Sequence, residues 1–274
     1  MSNKLKIGVL VSLTENVREE VKKVRDFGLE SCQICCWNPA MYTDEMAGKI
    51  RSALTEFDVE ISSLWTGYTG PCVWNFIDGP NTLGLVPPEH REHRVKELIA
   101  GAEFAAKIKA SSTSTHAGFI PESPKDPLYA GTIEALTQIA QRCKDLGIDF
   151  CFETGQETPV TLLRAMTDIG TGNCGVNLDP ANLLMYGKAN PVDALDTFGK
   201  WVKGVHAKDG DVPTDPMHLG PEVPLGEGKV NFPVFVKKLK DLGYNRDLTI
   251  EREISGPKQT EDIKKAIALL SPLC

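Results

Sequence analysis

Long apolar runs are missing from this sequence. No stretch nears the roughly 20 residues that cross a bilayer, so no membrane span is expected. The lead-in Met1-Ser2-Asn3-Lys4-Leu5-Lys6 has no signal-peptide core, which points to the cytoplasm. No Gly-x-Gly-x-x-Gly follows the first predicted strand, which disfavours a dinucleotide fold. Positive charge is short as well: the formal net charge is −7, which argues against a nucleic-acid partner. There is no linker, low-complexity tract or internal repeat. The eight cysteines do not form a disulfide framework. Cys32-x-x-Cys35-Cys36 has no second pair to complete a zinc site, and with Cys151 and Cys174 it sits in apolar runs, as small core residues do. That usage fits a reducing compartment.

What the chain does have is an alternation. Apolar, β-prone runs at 6–13, 31–37, 60–65, 111–116, 148–153, 174–179, 202–208 and 247–252 are predicted strands. Helical periodicity fills 14–27, 43–57, 90–109, 124–146, 158–169, 191–198, 232–242 and 260–270. Gly28 and Gly147 stand where helices stop, and Thr43 and Thr158 where they start. Eight strand-then-helix units over 274 residues predict an α/β fold, a (β/α)8 TIM barrel with residues 1–274 as a single domain. A doubly wound sheet with a small cap is the alternative. Two stretches, 66–88 and 209–229, are too long for plain connections and are expected to be binding loops or lids.

Four predicted strands end on a residue out of keeping with the rest. The run Phe150-Cys151-Phe152 stops at Glu153; the later ones end near Asp179, His206 and Glu251. Side chains alternate along a strand. Phe150 and Phe152, Val176 and Leu178, Val205 and Ala207, and Leu248 and Ile250 suit the helix-facing side. Glu153, Asp179, His206 and Glu251 then face the barrel axis, at the end where such barrels carry their sites. Three carboxylates this close repel, and without a cation at least one holds a proton. A divalent metal resolves the conflict. Three oxygen donors and one nitrogen suit manganese first, with magnesium, cobalt or zinc as alternatives.

These residues in context, Glu153 in CFETG, Asp179 in VNLDPANLL, His206 in VHAKD, Gly226-Glu227-Gly228 in PLGEG and Glu251 in LTIERE, resemble the sugar phosphate isomerase/epimerase superfamily. This is the xylose isomerase-like TIM barrel group, with ketose 3-epimerases, hydroxypyruvate isomerase, inosose dehydratase and the endonuclease IV branch. The resemblance spans nearly the whole chain and is sharpest over 148–256. It implies that the four residues bind one divalent metal, that the substrate is a small carbohydrate, and that the metal stabilises an enediolate. It also implies that Glu153 and Glu251 act as the general acid and base. Relatives are often oligomers, so a homo-oligomer is an open expectation. The motifs do not separate an isomerase or epimerase from a keto-polyol dehydratase. Five histidines, with His90, His93 and His218 away from strand ends, do not suit a three-metal nuclease. A non-catalytic sugar-binding barrel would have lost ligands that this chain keeps.

Several further residues are expected to touch substrate. Lys208 points inward one pleat beyond His206 and is a candidate for a phosphate, carboxylate or enediolate oxygen, unless it pairs with Asp209 or Glu227. His116 ends the fourth strand. Asn182 stands where several relatives carry histidine, a departure that bears on specificity. Glu157 follows the first ligand closely, Glu227 sits in the second long loop, and Trp74 in the first. Trp37 and Trp65 suit either a sugar wall or the core.

Overall fold

The computed structural model describes residues 4–274; Met1, Ser2 and Asn3 of the lead-in lie outside the described residues. The chain alternates strands and helices from the start. β1 (Lys6–Ser12), α1 (Val17–Asp26), β2 (Ser31–Cys36), α2 (Asp44–Phe57) and β3 (Glu60–Thr66) lead to the first long loop, which holds a single turn, α3 (Gly79–Thr82). Then come α4 (Pro88–Lys107), β4 (Ser112–Thr115), α5 (Tyr129–Asp145), β5 (Asp149–Glu153), α6 (Pro159–Ile169), β6 (Cys174–Leu178), α7 (Pro180–Met185), α8 (Pro191–Phe198) and β7 (Val202–Ala207). A small hairpin, β8 (Asp209–Gly210) with β9 (Glu222–Val223), occupies the second long loop before α9 (Phe232–Asp241), β10 (Asp247–Ile250) and α10 (Pro257–Leu270).

Eight parallel strands close in the order β1-β10-β7-β6-β5-β4-β3-β2. This is the expected (β/α)8 barrel. The helix signals hold where they rest on chemistry. Thr43 accepts a hydrogen bond from Met46 N at 3.1 Å, Thr158 from Thr161 N at 3.3 Å, and Gly28 and Gly147 adopt φ of +76° and +73°. The fourth predicted helix starts later than its periodicity implies, at Tyr129, because residues 121–127 form turns. Among the described residues no helix is long and apolar enough to cross a membrane. All eight cysteines are free.

The hydrophobic core lies between barrel and helices. It contains Phe150, Phe152, Val176, Leu178, Val205, Ala207, Leu248 and Ile250, the alternation expected from the sequence. The inward residues are fully buried yet polar: Ser31, Gln33, Ser63, Ser112, Ser114, Asn177 and Thr249. Buried polar groups must be hydrogen-bonded. Ser112 donates to Ser63 Oγ at 3.0 Å, and Gln33 Nε2 to Asn177 Oδ1 at 3.2 Å. Part of the barrel axis is therefore hydrogen-bonded across strands, while Ser114 Oγ and Thr249 Oγ1 are buried without a partner.

Candidate metal and substrate site

Strand direction and register bring the four unusual residues together. Glu153 ends β5, His206 lies in β7 opposite Thr249 of β10, and Glu251 follows directly after β10. Asp179 departs from the expectation of a strand end. It is the N-cap of α7, a helix not visible as periodicity because only one and a half turns follow Pro180. Its Oδ1 accepts from Asn182 N at 2.9 Å, which leaves Oδ2 buried without a hydrogen-bond donor. One donor atom from each of Glu153, Asp179, His206 and Glu251 lies within 4.8 Å of the others. Two ligands on opposite sides of a cation at roughly 2.2 Å would be about 4.4 Å apart. The distances, the unpartnered Asp179 oxygen and the mixed donor set therefore fit a divalent metal with small side-chain adjustment.

The buried charges of the cluster shift one another strongly. Burial, with Glu251 and Glu153 nearby, pushes Asp179 up to about 8 despite Lys208 Nζ at 3.4 Å. Burial would also raise Glu251, but Lys208 and then His206 hold it well below the usual carboxylate range. Burial opposes charge on His206, yet Glu251 and Glu153 hold it protonated well above the ordinary imidazole range. His206 Nδ1 sits 3.1 Å from Glu153 Oε1 and 2.9 Å from Glu251 Oε2. It meets hydrogen-bond geometry only with the former. Protons on Asp179 and His206 thus offset the negative charge that a cation would otherwise balance.

Access divides the four. A cavity of about 440 Å³ opens above them; Glu153 and Glu251 line it, whereas Asp179 and His206 lie beneath with no exposed surface. Trp65 Nε1–H donates to Glu153 Oε2, a role that its position at the end of an apolar run did not reveal. His116 lines the cavity 3.6 Å from Glu153, with its Nδ1 lacking a partner. Asn182 lines it too, accepting from Lys208 Nζ at 3.3 Å. Trp74 forms part of the wall and stays 38 % exposed.

Three expected substrate contacts sit elsewhere than the sequence implied. Lys208 pairs with neither Asp209 nor Glu227. Its ammonium is buried between Glu253 at 2.6 Å, Asp179 at 3.4 Å and Glu251 at 3.6 Å. Glu157 is buried but does not line the cavity, and burial pushes its carboxyl up to about 8. Glu227 is exposed and outside the cavity wall. The residue that governs its loop is the buried Asp209, whose carboxylate accepts from Gly210, Gly226, Gly228 and Val230 N at 2.9–3.1 Å.

Arg94 does the equivalent for the first loop. Its helix carries charge on the solvent side, and nothing in the periodicity marks this arginine as buried. Its guanidinium donates to the carbonyls of Thr69, Pro71, Thr82 and Gly84 and stacks 4.3 Å over Tyr68. Arg94→Ala would strand those carbonyls and is expected to cost at least about 3 kcal/mol in urea unfolding. Arg94→Lys will not rescue it, because one ammonium cannot reach all four acceptors.

Gln33 is the other residue that sequence reasoning missed. Its Oε1 accepts from His206 Nε2 at 2.9 Å, which turns Nδ1 toward the carboxylates. Asn177 holds Gln33 from below, and Gly204 lacks the Cβ that would overlap Asn177. Outer partners of this kind fix the tautomer of a ligand histidine. Gln33→Leu is expected to weaken divalent-metal affinity by about 10- to 100-fold, read by calorimetry, with circular dichroism unchanged.

Comparison with known proteins agrees with this fold. The family model described as xylose isomerase-like TIM barrel matches residues 21–273. The chain belongs to this family. A xylose isomerase domain protein from Planctomyces limnophilus is 30 % identical with a TM-score of 0.92, covering 98 % of this chain and 97 % of that one. A solved D-tagatose 3-epimerase-like protein shares the xylose isomerase-like fold at 22 % identity and a TM-score of 0.73, over 98 % and 99 % of the two chains. An uncharacterised protein of Methanocaldococcus jannaschii is 24 % identical over 95 % of this chain and 88 % of its own length.

Proposed function

We propose that the chain, acting as one domain, is a divalent-metal-dependent isomerase or epimerase of an uncharged keto sugar, working through an enediolate. The observation that carries this is the split in access: of four convergent ligand-type residues, only Glu153 and Glu251 reach the cavity. On this reading Asp179 and His206 would hold a cation and do nothing else, and the two glutamates would hold it and also move protons.

Lewis acidity at the sugar carbonyl is what a bound divalent cation supplies; the donor set suits manganese, magnesium or cobalt. Glu153 and Glu251 work as a pair. One, as carboxylate, takes the proton from the carbon beside the carbonyl, and the C–H electron pair becomes the carbon–carbon double bond of the enediolate. The other, as carboxylic acid, returns a proton to that carbon from the opposite face, inverting it, or to its neighbour, moving the carbonyl. The Trp65 indole keeps Glu153 oriented. His116 and Asn182, both in the wall, are donors for substrate oxygens. Lys208 is surrounded by the carboxyl groups of Glu253, Asp179 and Glu251, and the glutamates already offset its charge. That favours a neutral substrate over a phosphate ester. The similarity in fold to a D-tagatose 3-epimerase-like protein supports the sugar class, and eight free cysteines fit a cytoplasmic setting.

The test is a panel of ketoses and keto-polyols with product mass and solvent-deuterium uptake as readouts, run with metal-loaded and chelated protein. A product isomeric with the substrate in ordinary water and one mass unit heavier in D2O, with both changes lost on chelation, supports the reading. Loss of water from the product makes the chain a dehydratase, and full turnover after chelation overturns the metal role. Lys208→Ala is expected to raise KM for neutral and phosphorylated substrates by similar factors; a rise confined to phosphorylated ones would restore an anion-binding role for Lys208.

A further inference from the structure

The cavity is larger and more lopsided than one sugar ring requires. At the packing density of organic matter a twelve-heavy-atom hexose fills roughly 200 Å³, about half of the 440 Å³ available. Buried polar side chains gather at the deep end, where Glu153, Asn182 and His116 stand beside Glu251. Outward from there one side of the wall is aromatic. Trp65 touches Glu153, the Trp37 ring lies 4.7 Å from Trp65, and Trp74 lies 6.2 Å from Trp37 and 5.1 Å from His116. Met185, Leu219 and Ile254 also line this cavity. Arg252, Glu253 and Gln259 line the cavity as well, so its outer part joins an aromatic wall to polar groups, and a single sugar ring seated at the deep end would leave both without a ligand.

Core packing does not account for the outer aromatics. Trp37 is 43 % exposed and Trp74 is 38 % exposed, while the inner Trp65 is only 5 % exposed. Both are nonetheless held in place. Trp37 lies against the bare backbone of Gly67, where an added Cβ would come within 2.5 Å of the ring. Trp74 rides on the loop that Arg94 ties down. Ordered, half-exposed indoles in a cleft are suited to a ligand ring with a flat apolar face.

We infer that the substrate is a glycoside, a keto sugar bearing a second ring, and that Trp37 and Trp74 hold the second ring while the keto sugar occupies the deep end. This rests on the proposed sugar chemistry for the identity of the first ring. The second ring is either aromatic or another sugar; both present an apolar face to indole.

Binding can be read without turnover. Metal-loaded protein is titrated calorimetrically with methyl β-glucoside, phenyl β-glucoside and cellobiose, which share one glucose ring and carry no ketone. Phenyl β-glucoside or cellobiose is expected to bind at least tenfold more tightly than methyl β-glucoside. Which of the two gains identifies the second ring as aromatic or sugar. Trp74→Ala and Trp37→Ala will bring the ratio toward one, and Gly67→Ala, which displaces the Trp37 ring without deleting it, will lower it. Equal affinities for all three ligands overturn the inference, as does a preference that survives both tryptophan variants. If the preference holds and depends on the tryptophans while no keto sugar is turned over, the second-ring site stands and the enediolate chemistry falls. If free ketoses are turned over while all three glycosides bind equally, the enediolate chemistry stands and the second-ring site falls.

Discussion

Glu153→Gln and Glu251→Gln are each expected to lower solvent-deuterium exchange into a keto-sugar substrate by about 10²- to 10⁴-fold, the usual contribution of a positioned acid or base. The amide keeps the size and some ligating ability of the side chain but can neither take nor give the proton. Near-ultraviolet circular dichroism will show the fold intact. The two differ in stability, and the difference tests the electrostatics. Glu251 is the main counter-charge to the buried Lys208 and His206. Its replacement leaves those cations less compensated and will lower the melting temperature of the metal-free protein more than Asp179→Asn does. Exchange at the wild-type rate in either glutamine variant would remove that glutamate from the chemistry.

Asp179→Asn is the second large effect, and it falls on metal rather than on proton transfer. Without a cation, burial keeps Asp179 protonated up to about 8, so at neutral pH asparagine replaces an already uncharged group. The metal-free melting temperature will hardly move. In the wild type, a cation at a hundred times its Kd stabilises the fold by about 2.7 kcal/mol, or roughly 5–10 °C in Tm at this chain length. The asparagine variant will lose most of that gain. The pH dependence has a defined sign. Asp179 is raised from an unfolded value of 3.8 to about 8. Its contribution to metal-free stability is complete below about 3.8 and is lost as pH rises through about 8. Metal binding runs the other way: the cation needs the carboxylate, so affinity climbs as much as about tenfold per pH unit up to about pH 8 and then flattens for this group. Calorimetry in buffers of different ionisation enthalpy will find at least one proton released per cation at about pH 7, and one fewer in Asp179→Asn. Metal uptake with no proton release would contradict the electrostatics of the cluster.

How far each site residue was legible depends on what kind of signal it leaves. Glu153 was legible because a carboxylate at the end of Phe150-Cys151-Phe152 breaks an apolar alternation that covers its neighbours. The inward direction of His206 and Glu251 followed from the same period-two rule. Asp179 was legible as a residue but not as a helix cap, since α7 is too short to show periodicity. Arg94 and Asp209 were not legible at all. Each looks like a surface charge in its own segment, and each is buried only because a long loop folds back over it and supplies backbone partners. Gln33 lies 144 residues from Asn177 and 173 from His206, and no local pattern connects them.

The sequence alone determined the barrel, the direction of its side chains and the four ligand-type residues, because alternation and strand-end position are local properties that survive without contacts. Only the tertiary structure decided that Glu153 and Glu251 face the cavity while Asp179 and His206 lie beneath it. It likewise decided that Lys208 is enclosed by three carboxyl groups, and that Trp37 and Trp74 form part of the cavity wall. These depend on distances between separate strands and loops, and barrel closure and loop packing set those distances.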